Sequence, residues 1–167
     1  RSGMGWLEDV VAGTQDVETP KKFIYWSAMA AISAVLKNKV WVRRFPNEKS
    51  PDKQAYNLYP NLYVLLIAPS GHRKGFAVAL AKELVELAGD TRVISGRNSI
   101  QGIIQSLANA KTTIKGGPPK YDSTAAIFSG EFSTSLVRDP DALTILTDLY
   151  DGHYNPTWNN TLKHSEV

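Results

Sequence analysis

Asn61-Leu-Tyr-Val-Leu-Leu-Ile-Ala-Pro-Ser-Gly-His-Arg-Lys-Gly75 is the stretch on which the fold turns. Its first half, Leu62-Tyr-Val-Leu-Leu-Ile67, is apolar throughout instead of alternating, the pattern of a central parallel strand covered on both faces. Pro69, Ser70 and Gly71 then break the run with turn chemistry. Behind the turn the spacing predicts a helix from about Lys74 to Ala88. Phe76, Leu80, Leu84 and Leu87 would form its buried stripe, while Lys82, Glu83 and Glu86 point away. Gly89 is placed to end it.

Working outward, the same alternation of strand and helix repeats. Downstream, Arg92-Val-Ile-Ser95 is a second short strand. Asn98 or Ser99 can cap a helix over Ile100 to Ala110, with Ile103, Ile104 and Leu107 on its apolar face. Lys111 to Asp122, carrying Gly116-Gly-Pro-Pro119, reads as a loop or hairpin. Thr124-Ala-Ala-Ile-Phe128 is a third buried strand, with helices expected from about Glu131 and about Asp141. Upstream, Trp6 to Ala12 and Pro20 to Leu36 read as helices. Thr19 suits the N-cap of the second and Pro20 its first turn. That helix is apolar on most faces, with Phe23, Trp26, Ala30 and Val35, so burial is expected. Val40-Trp-Val42 is a short strand candidate leading into a polar segment, Arg43 to Asn57. The order strand, helix, strand, helix, strand predicts an α/β fold, a three-layer domain around a parallel sheet. Residues 1–57 form an N-terminal helical segment and linker, and residues 58–167 the core. The tail from Asp151 stops without a closing element, so the core is expected to continue beyond it.

Composition narrows the function classes. The 167 residues are 43% hydrophobic and 21% charged, as in ordinary globular domains, and are enough for one sizeable core. No apolar run reaches the roughly 18 residues that a membrane span needs, and no secretory leader pattern is visible. The chain has no cysteine, which excludes disulfides and thiolate metal sites. A net charge of +3 suits a nucleic-acid partner without requiring one.

Chemistry concentrates at two places. A phosphate-binding loop needs a buried strand, a turn whose backbone N–H groups converge, and a lysine at the following helix N-terminus. Ala68-Pro-Ser-Gly-His-Arg-Lys-Gly75 has these parts, and Lys74 follows Ala68 by the six residues of the G-x-x-x-x-G-K-[ST] pattern. Pro69, Ser70, Gly71, His72, Arg73, Lys74 and Gly75 are therefore the candidate phosphate contacts. Three positions depart from the pattern: Ala68 takes the place of the first glycine, Arg73 stands where glycine precedes the lysine, and Gly75 where a hydroxyl would ligate Mg²⁺. The second place is Ala125-Ala-Ile-Phe-Ser-Gly-Glu131. A neighbouring strand in such a site delivers acids that hold Mg²⁺ and polarise water. Glu131 occupies the second acidic position, and Gly130 replaces the usual aspartate. Outside these, Arg92, Arg97 and Arg138 could serve as sensor, finger or DNA contact, and are more often plain surface charges. Lys111, Lys115, Lys120 and Tyr121 could form a basic hairpin toward DNA. His153 and His164 lack the spacing of a metal site.

Taken together, Ala31–Leu36, Asn61–Gly75 and Phe128-Ser-Gly-Glu-Phe132 resemble the P-loop ATPase domains of phage and plasmid primase-helicase proteins. The resemblance spans roughly Pro20 to Asp151. It implies a P-loop NTPase core of RecA/AAA-like type, with ATP and Mg²⁺ as cofactors. It also implies single-stranded or duplex DNA as partner, assembly as a homo-oligomeric ring, and a cytoplasmic setting in a bacterial or phage-infected cell. Lys74 carries over as the phosphate lysine, and Glu131 as the catalytic and metal-holding acid. The family's serine falls on Gly75 and its aspartate on Gly130. Mg²⁺ would then rest on the nucleotide, Ser70, Glu131 and water. The expected activity is ATP-driven work on DNA of helicase type. The alternative is a degenerate nucleotide-binding scaffold or loader with little hydrolysis, and the absence of an arginine-rich lid disfavours a small-molecule kinase.

Overall fold

In a computed structural model of the chain, residues 5–44, 56–96, 98–108, 111–112, 120–130 and 142–151 are described. Five helices appear in this part of the chain: α1 (Trp6–Ala12), α2 (Lys21–Leu36), α3 (Lys74–Ala88), α4 (Ile100–Ala108) and α5 (Ala142–Asp151). Six short strands accompany them: β1 (Val42–Arg44), β2 (Tyr56–Leu58), β3 (Val93–Ser95), β4 (Lys111–Thr112), β5 (Lys120–Tyr121) and β6 (Ala126–Phe128). They pair as three two-stranded sheets: antiparallel β1–β2, parallel β3–β6 and antiparallel β4–β5.

The core is built on small residues. Along α2 the buried positions are Ile24, Ser27, Ala28 and Ala31, and along α3 they are Ala77, Ala81 and Val85. Spacings of three and four put each set on one helical stripe. Ala31, Ala81 and Val85 pack with Ala126 of β6, and Ala34, Val35, Leu84, Val93 and Phe128 close around them. The helix pair thus covers one face of the β3–β6 sheet. This corrects the expected stripe on α3. Leu80 and Leu84 are half-buried, whereas Phe76 and Leu87 are exposed, Leu87 at 76%. The buried stripe is instead the alanine row one residue further on. Alanine allows two helix backbones to approach toward the short end of the usual 8–10 Å range, and leucine would hold them apart.

Termini of the helices follow local rules where they can. Gly89 ends α3 in the left-handed conformation, at φ +73°. The Ser99 hydroxyl accepts the Gly102 N–H at 3.1 Å and starts α4. Lys37 ends α2 at φ 53°, where glycine is the usual residue. Its side chain is almost fully covered and is engaged elsewhere. The Lys37 ammonium donates to the Asp90 carbonyl and lies 3.6 Å from the Asp122 carboxylate. The Thr91 hydroxyl donates to the Ala34 carbonyl at 3.2 Å, and Lys39 pairs with Asp90. These contacts gather the end of α2, the turn after α3 and the approach to β6 at the edge where β3 and β6 begin.

Two expectations from the sequence change form. Residues 59–69 form neither helix nor ladder-paired strand among the described residues, so Leu62–Ile67 is not a paired strand there. Burial nevertheless alternates along it: Leu62, Val64 and Leu66 are half-buried, and Tyr63, Leu65 and Ile67 are exposed. Ser33 donates to the Pro60 carbonyl, and Asn61 and Tyr63 donate to the Tyr150 and Leu146 carbonyls of α5 at 2.6 and 2.8 Å. The segment is therefore held by its N-terminal half. Arg92, read as a surface charge, turns inward, and its guanidinium donates to the Ser106 hydroxyl of α4 at 3.1 Å. The expected hairpin at 111–122 forms as β4–β5. The helix expected from Glu131 lies outside the described residues.

Two measurements test this account. Replacing Ala81 by leucine overpacks the α2–α3 contact and is expected to destabilise the fold by about 1–3 kcal/mol in urea denaturation. The second test concerns Asp122. Burial pushes its carboxyl up, but the Thr124 hydroxyl and N–H and the Lys37 ammonium outweigh this and lower it overall. A lowered carboxylate stabilises the fold above its unfolded value, about pH 3.9, and loses that contribution as pH falls through its folded value. Asp122→Asn should therefore be less stable than the parent at pH 7, and the difference should close below about pH 4.

Candidate functional site

β3 and β6 run parallel, so Ser95-Gly96 and Ser129-Gly130 leave the sheet at one edge. The turn from α3 into β3 is short, Gly89 to Arg92, and α3 packs back along the same strands. Ala81 and Val85 are the α3 residues that pack with Ala126 of β6. The loop Ala68–Arg73 leads into the N-terminus of α3.

Lys74, the first residue of α3, is half-buried and curls back over the loop. Its ammonium donates to the Ala68 carbonyl, and to the Pro69 carbonyl at 3.1 Å. One side chain therefore ties the start of the loop to its end. An ammonium has three N–H donors, and among the described residues these two carbonyls take two of them. Between these ends Ser70 and Gly71 form the turn, and Gly71 sits at φ +90°, where only glycine is at ease. Pro69, Ser70, Gly71, His72, Arg73 and Gly75 are all exposed, so the loop surface is open to a ligand.

Arg73 is the unusual member. It adopts the left-handed conformation at φ 44°, which costs a non-glycine residue about 1 kcal/mol or more. Its guanidinium pairs with Glu18 at 2.7 Å. Its carbonyl accepts the Phe76 N–H at 3.0 Å and the hydroxyl of the buried Thr19 at 3.4 Å. Thr19 therefore does not cap α2, as its sequence position suggests; no side chain caps that helix. It anchors the loop at Arg73 from 54 residues away. Neither Glu18 nor this role of Thr19 is visible in the sequence, because no local pattern marks a contact across that separation.

Gly75 and Gly130 are the two departures that bear on Mg²⁺. A Cβ built on either meets nothing within 4 Å, and neither has the positive φ that demands glycine. Packing therefore does not exclude serine at 75 or aspartate at 130. Glu131, Arg97, Arg138, Lys115, His153 and His164 lie outside the described residues. Among the described residues no group of three or more histidine, cysteine, aspartate or glutamate side chains is placed to hold a metal ion. Arg92 sits just before β3 and is engaged with Ser106 of α4.

Compared with known protein families, curated proteins and solved structures, the chain matches none. Among the described residues no helix is long and apolar enough to cross a membrane.

The strain at Arg73 makes a direct test. Glycine removes the left-handed penalty but also the exposed Glu18 pair, whose worth is at most about 1 kcal/mol. Arg73→Gly is therefore expected to stay within about 1 kcal/mol of the parent in urea denaturation. A larger loss would mean that the Glu18 tether carries more than an exposed pair can.

Proposed function

We propose that this chain is a nucleotide-binding domain of the P-loop ATPase kind, with a three-layer RecA/AAA-like core, acting on DNA as a helicase-type motor. The observation that carries the reading is Lys74, folded over the carbonyls of Ala68 and Pro69 at the head of α3. A fixed ammonium and the positive end of a 15-residue helix together suit a polyphosphate. On this reading ATP places its phosphates along Pro69–Gly75. Lys74 stabilises the charge on the terminal phosphates, and Arg73 adds a second cation beside it. Ser70 and Glu131 would hold a nucleotide-borne Mg²⁺, which would supply charge neutralisation at the phosphates. Glu131 would orient the attacking water. Assembly as a ring on single-stranded or duplex DNA, in a bacterial or phage-infected cytoplasm, belongs to the same proposal through the family resemblance.

A second reading, a nucleotide-binding scaffold or loader that turns over little ATP, is favoured by the glycines at 75 and 130. Because both positions have room for a side chain, the two readings can be separated by restoring the missing groups.

ATP binding by calorimetry and ATP turnover with and without single-stranded DNA test both readings. Lys74→Ala should weaken ATP binding at least tenfold, whereas Glu131→Gln should leave binding intact and remove DNA-stimulated turnover. Gly75→Ser with Gly130→Asp should raise turnover if the scaffold reading holds. Equal ATP affinity in the parent and in Lys74→Ala would sink the phosphate-site assignment altogether.

A further inference from the structure

Three observations converge on Arg73. Its backbone is left-handed at φ 44°, a conformation that suits glycine. Its guanidinium pairs with the Glu18 carboxylate at 2.7 Å, and the two side chains are 61% and 76% exposed. Its carbonyl accepts the hydroxyl of Thr19, which is 3% exposed. Two neighbouring residues of the α1–α2 junction thus hold Arg73 in different ways. Thr19 holds the peptide from a buried position, and Glu18 holds the guanidinium in water. The second hold can be released without the first. The side chain can therefore change partner while the loop backbone stays tethered to the junction.

Chemistry sets what the new partner is. A phosphate oxygen makes the same demand on a guanidinium as a carboxylate oxygen does, a charge-assisted hydrogen bond to a planar fork. On the nucleotide-binding reading above, a polyphosphate lies against Lys74, the next residue in the chain. It then brings several negative charges near Glu18, and like charges repel. An exposed ion pair is a weak hold to begin with. We propose that Glu18 competes with ligand phosphate for Arg73, occupying the guanidinium until a polyphosphate takes that cation over. This inference rests on the nucleotide-binding reading and adds a regulatory contact to the same site. Affinity is thereby kept below what Lys74 and Arg73 together would give, and ligand binding frees Glu18 at the α1–α2 junction. The opposite role is a brace, in which Glu18 aims Arg73 at the phosphate. The two roles differ in sign, since a competitor lowers affinity and a brace raises it.

The test is a double-mutant cycle on ATP affinity, measured by calorimetry with the full chain and without DNA. Glu18→Gln removes the charge and keeps the length. It is expected to tighten ATP binding about two- to fivefold, the range for release of one exposed pair. In an Arg73→Gln background the same change should give no gain, because no guanidinium is left to release. Inorganic tripolyphosphate should show the same pattern, because the contest concerns phosphate and not the base. Weaker ATP binding by Glu18→Gln would overturn the inference in favour of the brace. Unchanged affinity would overturn it as well. So would equal tightening with and without Arg73, the mark of an acid acting on the ligand only through its field. Lys74→Ala separates this inference from the reading beneath it. If Lys74→Ala weakens ATP binding and Glu18→Gln does not tighten it, the competition falls and the nucleotide site stands. If Lys74→Ala binds ATP like the parent, the nucleotide site falls and the competition with it.

Discussion

The close approach of α2 and α3 through alanine is the contact from which the rest of the described structure follows. Ala28 and Ala31 on one helix and Ala77 and Ala81 on the other are all essentially buried. Side chains this small contribute little area each, so the pair gains mainly from backbone proximity and from the larger residues at its margins, Ile24, Val85 and Val35. Once α3 is seated on α2, its direction is set, and with it the point at which Lys74 meets the loop. Because Ala31, Ala81 and Val85 also pack on Ala126, the same contact aligns the helix pair with the parallel strands. The loop inherits its position from packing some ten residues away.

Electrostatics then distinguishes two places in the fold. Where β3 and β6 begin, cations and acids are matched: Lys37 with Asp122 and the Asp90 carbonyl, Lys39 with the Asp90 carboxylate. The Asp90 carboxyl is accordingly held below its usual range, first by the hydrogen bond from Lys39. At the head of α3 the balance changes. Among the described residues Lys74 meets the neutral carbonyls of Ala68 and Pro69, and Arg73 is met by Glu18, itself 76% exposed. At the first, the almost fully covered Lys37 joins α2 to the turn after α3 and to Asp122. At the second, a half-buried ammonium and an exposed guanidinium stand together at a helix N-terminus, a setting that suits an anion.

Much of this was legible along the chain. The bounds of α3, Lys74 to Ala88, follow from a turn before it, a glycine after it and good helix formers between, all of which are local causes. β3 and β6 were recognisable as short apolar runs, and their parallel pairing follows from the helix that joins strands of this kind. Less legible was which face of α3 goes inside. Leucine stripes mark amphipathicity, yet the partner helix is alanine-lined and selects the alanine row. Thr19 was misread for a similar reason, since a threonine before a helix is a cap by local rules until a distant carbonyl competes for its hydroxyl.

By itself, the sequence determined the local elements: where helices start and stop, that Gly71 makes a turn, and that Lys74 stands at the head of a helix. It also determined that all of the net charge lies between residues 39 and 58. These depend on backbone sterics, propensity and composition, which are properties of neighbours in the chain. Only the tertiary structure decided that Lys74 folds onto Ala68 and Pro69, that Glu18 and Thr19 hold Arg73, that Arg92 turns inward to Ser106, and that Trp41 and Val42 stay in water. Each of those outcomes is a competition among groups far apart in sequence for the same hydrogen bond or the same buried space. Packing settles such competitions, because only the folded chain brings the competitors within reach of one another.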